Sequence, residues 1–147
     1  NMIRLRVSTH RAAAAFDTGD FAAAEVVSRE SMSLAGPDES GYYVSGDTLI
    51  HSLFRSGDTT AALDEAAALV ETALARNMGL SWAKDGVNVV KRFDPPETTP
   101  RFAAALARFA EAYCSLTADD LKDLDPRAAL DLVVSRLPGE DGSTGDA

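Results

Sequence analysis

Two histidines, one cysteine and a cluster of aspartates are the residues of this chain with the widest chemical reach. His10 and His51 are of the type that ligates metal or moves protons near neutral pH. Neither stands at metal-ligand spacing to the other or to a carboxylate pair, so they read as surface or half-buried side chains and no metal is expected. Cys114 falls in an apolar stripe beside Tyr113 with no histidine near it in sequence, the setting of a buried, inert thiol. Asp119, Asp120, Asp123 and Asp125 lack the ligand spacing of a calcium loop and read as helix caps and solvated surface. No Gly-rich phosphate loop, Gly-x-Ser-x-Gly elbow or His-Glu-x-x-His pattern occurs. Neither an enzyme nor a cofactor is expected.

Composition narrows the class further. The 147 residues carry 14 basic against 23 acidic side chains, a formal net charge of -9, with 46% apolar residues. That length suits one domain with a core of its own, and a single Cys cannot form an internal disulfide. The acidic balance speaks against a nucleic-acid binder. No apolar run approaches the roughly 20 residues that span a bilayer. With Asn1 set aside as a remnant of expression, the expectation is a small, soluble, cytoplasmic protein of bacterial composition, without a membrane or nucleic-acid partner.

The elements must be helical. The chain holds 26 Ala, and alanine loses no side-chain entropy on entering a helix. Apolar stripes at steps of three and four predict helices over 21–35, 42–55, 60–77, 100–116 and 126–137. Leu63, Ala66, Ala67, Val70 and Leu74 form the clearest stripe. Thr99-Pro100 and Asp125-Pro126 supply a cap followed by proline in the first turn, and a short turn from Ala118 to Lys122 behind Thr117 bridges them. Asp85-Gly86 admits a hairpin, but the stripe through Trp82, Val89, Val90 and Phe93 favours a helix. The single domain is expected over 2–137, with an acidic, disordered tail at 138–147.

Two stretches repeat at a period of 38. Ala15-Phe16-Asp17-Thr18-Gly19-Asp20 and Leu53-Phe54-Arg55-Ser56-Gly57-Asp58 both read apolar, Phe, two residues, Gly-Asp, with Ala following at 24 and 62. Gly would end one helix at positive φ and Asp would cap the next. This pattern resembles the tetratricopeptide repeat, a helix–turn–helix unit of about 34 residues. Trp82-x-x-Asp85-Gly86-x-x-Val89 is similar to the aromatic and glycine signature of that family's first helix. The resemblance implies an all-α fold of antiparallel hairpins stacked as a short solenoid, with 126–137 as a capping helix.

The resemblance also implies a function, binding a protein or peptide in a concave groove lined by first helices. Those helices would present Arg6, His10, Asp47, His51, Arg55, Lys84 and Lys91. Charge is segregated along the chain, with a net of +3 over 1–11, -9 over 12–75, +3 over 76–110 and -6 over 111–147. A mostly basic groove inside an acidic shell would favour an acidic partner segment. The family's carboxylate clamp would fall on Thr9, Ala13, Thr48, Leu80 and Lys84, where only Lys84 suits it, so that device is not expected. The alternative is a self-assembling scaffold, a homodimer formed through the 80–95 edge.

Overall fold

A computed structural model describes residues 11–137 of the chain. Every regular element among them is a helix. Helix α1 occupies residues 11–17, followed by α2 (Phe21–Ala35), α3 (Ser40–Arg55), α4 (Thr59–Ala75), α5 (Leu80–Phe93), α6 (Pro100–Tyr113), the single turn α7 (Ala118–Leu121) and α8 (Pro126–Ser135). The expected tail at 138–147 lies outside the described residues, as do Arg6 and His10.

The repeated Gly-Asp pairs make the same turn twice. Gly19 takes φ +83° and Gly57 φ +91°, in the left-handed region that glycine enters without steric cost. Asp20 N–H donates to the Ala15 carbonyl and Gly19 N–H to that of Phe16; Asp58 and Gly57 donate likewise to Leu53 and Phe54. Each pair of bonds closes a Schellman motif on the outgoing helix. The aspartates then cap the incoming helices, Asp20 accepting from Ala23 N–H and Asp58 from Ala61 N–H. A third turn of this kind follows α4, where Asn77 takes φ +52° and Met78 and Asn77 donate to Ala73 and Leu74.

The caps expected at Thr99, Thr117 and Asp125 all form, and Thr117 and Asp120 close a capping box. Several boundaries differ from expectation: α4 runs over Thr59–Ala75 rather than 60–77, and α8 stops at Ser135 rather than 137. Helix α3 starts at Ser40 rather than 42, with no side-chain cap. Helix α6 stops at Tyr113 rather than 116, because Ser115 turns to φ +55° and sends Leu116 N–H back to the Ala110 carbonyl. Asp85-Gly86 lies within α5, so the hairpin alternative is excluded.

Helix α4 stands at the centre, packed on α3, α5 and α6. Its buried face is Ala62, Leu63, Ala66, Ala67, Leu69, Val70 and Ala73, and the alanines let neighbours approach closely. Helix α5 packs on α3, α4, α6 and α8. The core runs continuously from Tyr43 through Leu53, Val70, Val90 and Phe109 to Val133, and it takes in Cys114. Ion pairs link helices distant in sequence: Arg29 with Glu65 at 3.2 Å, Arg101 with Glu71 at 3.0 Å, and Lys91 with Asp131.

Candidate functional site

Helices α3 and α5 pack side by side, and a cleft of about 330 Å³ opens between their outer faces. Val44, Asp47, Thr48 and His51 line it from α3, and Asp85, Asn88, Val89 and Arg92 from α5. Both sets follow the same spacing of three, four and seven, which places each on one helical stripe. The stripe next to each on the same helix is apolar and buried, with Leu49, Ile50 and Leu53 on α3 and Val87 and Val90 on α5. Core packing therefore fixes which polar side chains face the cleft.

His51 is the centre of this surface. Its side chain is 16% exposed, with Nε2 at 3.6 Å from Asp47 Oδ2. Its ring meets Phe16 of α1 edge-on at 5.9 Å and Phe93 of α5 at 5.3 Å, and Phe93 in turn stacks on Phe54 at 4.6 Å. Burial pushes the imidazole below its ordinary pKa, and the guanidinium groups of Arg92 and Arg55 push the same way. At 3.6 Å, Asp47 does not reverse that. Burial raises the Asp47 carboxyl, with Arg92 opposing. Both groups are thus moved toward their neutral forms.

The expected groove set divides in the structure. Asp47 and His51 are neighbours and line the cleft. Arg55 lies one turn beyond His51 on the same face of α3 but outside the cleft's lining, its guanidinium 5.1 Å from the Phe21 ring centre and 6.0 Å from that of Phe16, a cation–π arrangement. Lys91 is paired with Asp131 of α8. Lys84 is half-buried on α5 and is not among the cleft's lining residues. Of the described members of that set, Asp47 and His51 line the cleft. The cation that does reach the cleft is Arg92, with Asp85 and Asn88 beside it. They lie one residue on from Lys84 and Lys91, and one residue is a rotation of about 100° around a helix.

The other residues with chemical reach have structural roles. Cys114 is buried, its thiol donates to the Val133 carbonyl at 3.5 Å, and burial raises its pKa. Asp120 and Asp125 cap helices, and Asp119 lies 3.7 Å from Lys122. Among the described residues, no group of three or more His, Cys, Asp or Glu side chains is placed to hold a metal ion. No described helix is long and apolar enough to cross a membrane. The cleft offers hydrogen-bonding groups and charge. Comparison of the chain with protein-family models, with curated proteins and with solved structures returns no match.

Proposed function

We propose that this chain is a protein- or peptide-binding module, a short tetratricopeptide-like helical repeat closed by α8, and that the cleft between α3 and α5 receives its partner. One observation carries this reading. Two helices line one cleft with residues of identical spacing, Val44, Asp47, Thr48 and His51 opposite Asp85, Asn88, Val89 and Arg92, six of the eight being polar. Polar side chains fixed on rigid helices are preorganised, so little ordering entropy opposes binding. The paired Gly-Asp turns support the repeat architecture, because each builds the same join between consecutive helices.

The partner segment offers a carboxylate to Arg92 and hydrogen-bond donors to Asp47 and Asp85. A uniformly acidic segment would be repelled by those two aspartates. Panning a random-peptide display library against the chain tests the reading. Selected peptides are expected to carry an acidic residue flanked by donors and to lose binding to Arg92→Glu. Peptides that bind Arg92→Glu as well as they bind the parent would move the site elsewhere. A library that yields no binder would remove the proposal.

A further inference from the structure

A second cavity, of about 260 Å³ and open to solvent on one side, is lined by residues of α4, α5, α6, α7 and α8 and of the loop before α6. Its wall is apolar, with Leu63, Val90, Phe102, Leu106, Leu121 and Leu130 all buried. It is too large to be a packing defect. A cavity of roughly 150 Å³ lined by such side chains holds a benzene molecule. By that scale this one takes about ten non-hydrogen atoms.

One polar group at its mouth gives it a chemical preference. Glu97 is exposed there and has no hydrogen bond or ion pair among the described residues. The two cations at the mouth are already engaged. Arg127 Nε lies 3.2 Å from Asp94 Oδ1, and the same guanidinium donates to the Asp94 carbonyl at 3.0 Å. Lys122 lies 3.7 Å from Asp119. The helix N-termini beside the cavity are no anion sites either, since Thr99, Thr117 and Asp125 occupy their amides. The unmatched charge at the entrance is negative.

We propose that this cavity binds a small apolar amine. Its hydrocarbon body fills the space between Phe102, Leu106, Leu121 and Leu130, and its ammonium meets the Glu97 carboxylate. An ammonium pairs with that unmatched carboxylate, whereas a carboxylate on the ligand would be repelled by it. The site is separate from the α3–α5 cleft and does not depend on the function proposed for it.

The test uses three probes of one shape, 2-phenylethylamine, 2-phenylethanol and 3-phenylpropanoate, titrated into the full chain and followed by NMR. The amine is expected to shift the methyl signals of Leu106, Leu121 and Leu130 with a Kd of about 1 mM or tighter. It is expected to bind roughly three- to fivefold better than the alcohol, the range for a solvent-exposed ion pair. Glu97→Gln should bring the amine down to the alcohol's affinity and leave the alcohol unchanged. Ala103→Phe, at the exposed rim of the cavity, should weaken amine and alcohol alike with an unchanged circular dichroism spectrum. Equal binding of amine and alcohol by the parent chain would overturn the proposal. So would a preference for the carboxylate, or methyl shifts that arise elsewhere or not at all.

Discussion

A β-carbon added to Gly86 would stand 2.8 Å from the carbonyl oxygen of Ala66, so α5 crosses α4 at backbone contact. The same β-carbon would stand 2.8 Å from Val70 Cγ2. Helix α4 accommodates that crossing with Ala62, Ala66 and Ala67, all fully buried. The contact fixes the rotation of α5, and through it the side chains that face the cleft.

Gly86→Ala should therefore destabilise the fold. In an open helix the change gains about 1 kcal/mol from propensity. Here the methyl meets a carbonyl that cannot rotate away, and overpacking costs about 1–3 kcal/mol. A net loss of up to about 2 kcal/mol is expected in urea titration. Gly46→Ala is the control. Its added carbon would meet the terminal Leu69 Cδ1 at 2.6 Å, and a leucine tip can move, so the change should be nearly neutral. If Gly86→Ala is as stable as the parent, the crossing is looser than the backbone distance implies.

Gly57 tests the turn rather than the packing. No heavy atom lies within 4 Å of a β-carbon built there, so only its φ of +91° is at stake. A β-branched residue resists that conformation by about 1–2 kcal/mol. Gly57→Val is expected to lose at least about 1 kcal/mol, and Gly57→Asn about half of that, since Asn tolerates the region better. Equal melting temperatures for the parent and the valine variant would show that the turn relaxes to another conformation.

Much of this fold was legible because local chemistry and global packing agree. Gly19-Asp20, Gly57-Asp58, Thr99-Pro100 and Asp125-Pro126 each announce a helix end, and each makes the bonds its residue types call for. The end of α6 was not legible. Nothing in Cys114-Ser115-Leu116 marks a left-handed serine, and the apolar stripe continues past it. A repeat at period 40 was also present unread: Tyr42-x-x-Ser45-Gly46-x-x-Leu49 parallels Trp82-x-x-Asp85-Gly86-x-x-Val89. Both glycines stand at close helix contacts, and that role appears only when the neighbouring side chains are placed.

His51 gives the chain a pH signature of definite sign. Burial, Arg92 and Arg55 lower its pKa in the folded state, so the unfolded chain takes up the proton first. Stability is unaffected above about 6.5, falls as the pH drops from there toward the lowered folded value, and levels off below it. Asp47 acts with the opposite sign, because its raised pKa lets the folded chain protonate first, but in the carboxylate range. Melting temperatures measured from pH 7.5 to 5.5 should fall less for His51→Gln than for the parent. Parallel curves would mean that His51 is solvated and titrates normally.

The cleft was legible in kind but not in register. Asp47 and His51 were found because the repeat pattern puts both on the first helix of a pair, facing a groove. On α5, selection by charge picked Lys84 and Lys91, while the cleft takes Asp85, Asn88 and Arg92. What decides between those stripes is the contact of Gly86 with Ala66, a long-range property of the packed chain. The pairing of Lys91 with Asp131 has the same origin, since α8 closes on α5 only in three dimensions.

The joint between α2 and α3 supports a last prediction. Ser28 and Ser31 of α2 and Ser45 of α3 are buried, and none of their hydroxyls has a partner. Small side chains let these helices pack closely, yet an unmatched buried hydroxyl costs about 1–3 kcal/mol relative to water. Ser52, equally buried, is different because it donates to the Thr48 carbonyl at 2.8 Å. Ser31→Ala removes a desolvated group, gains a few tenths of a kcal/mol in helix propensity and vacates little volume, so it should stabilise the fold by about 1 kcal/mol. Ser52→Ala gives up a hydrogen bond as well and should be neutral or mildly destabilising. Urea midpoints for the two variants should therefore move apart, Ser31→Ala upward and Ser52→Ala not. If Ser31→Ala instead lowers the midpoint, its hydroxyl is bonded in solution, most directly to a carbonyl of its own helix.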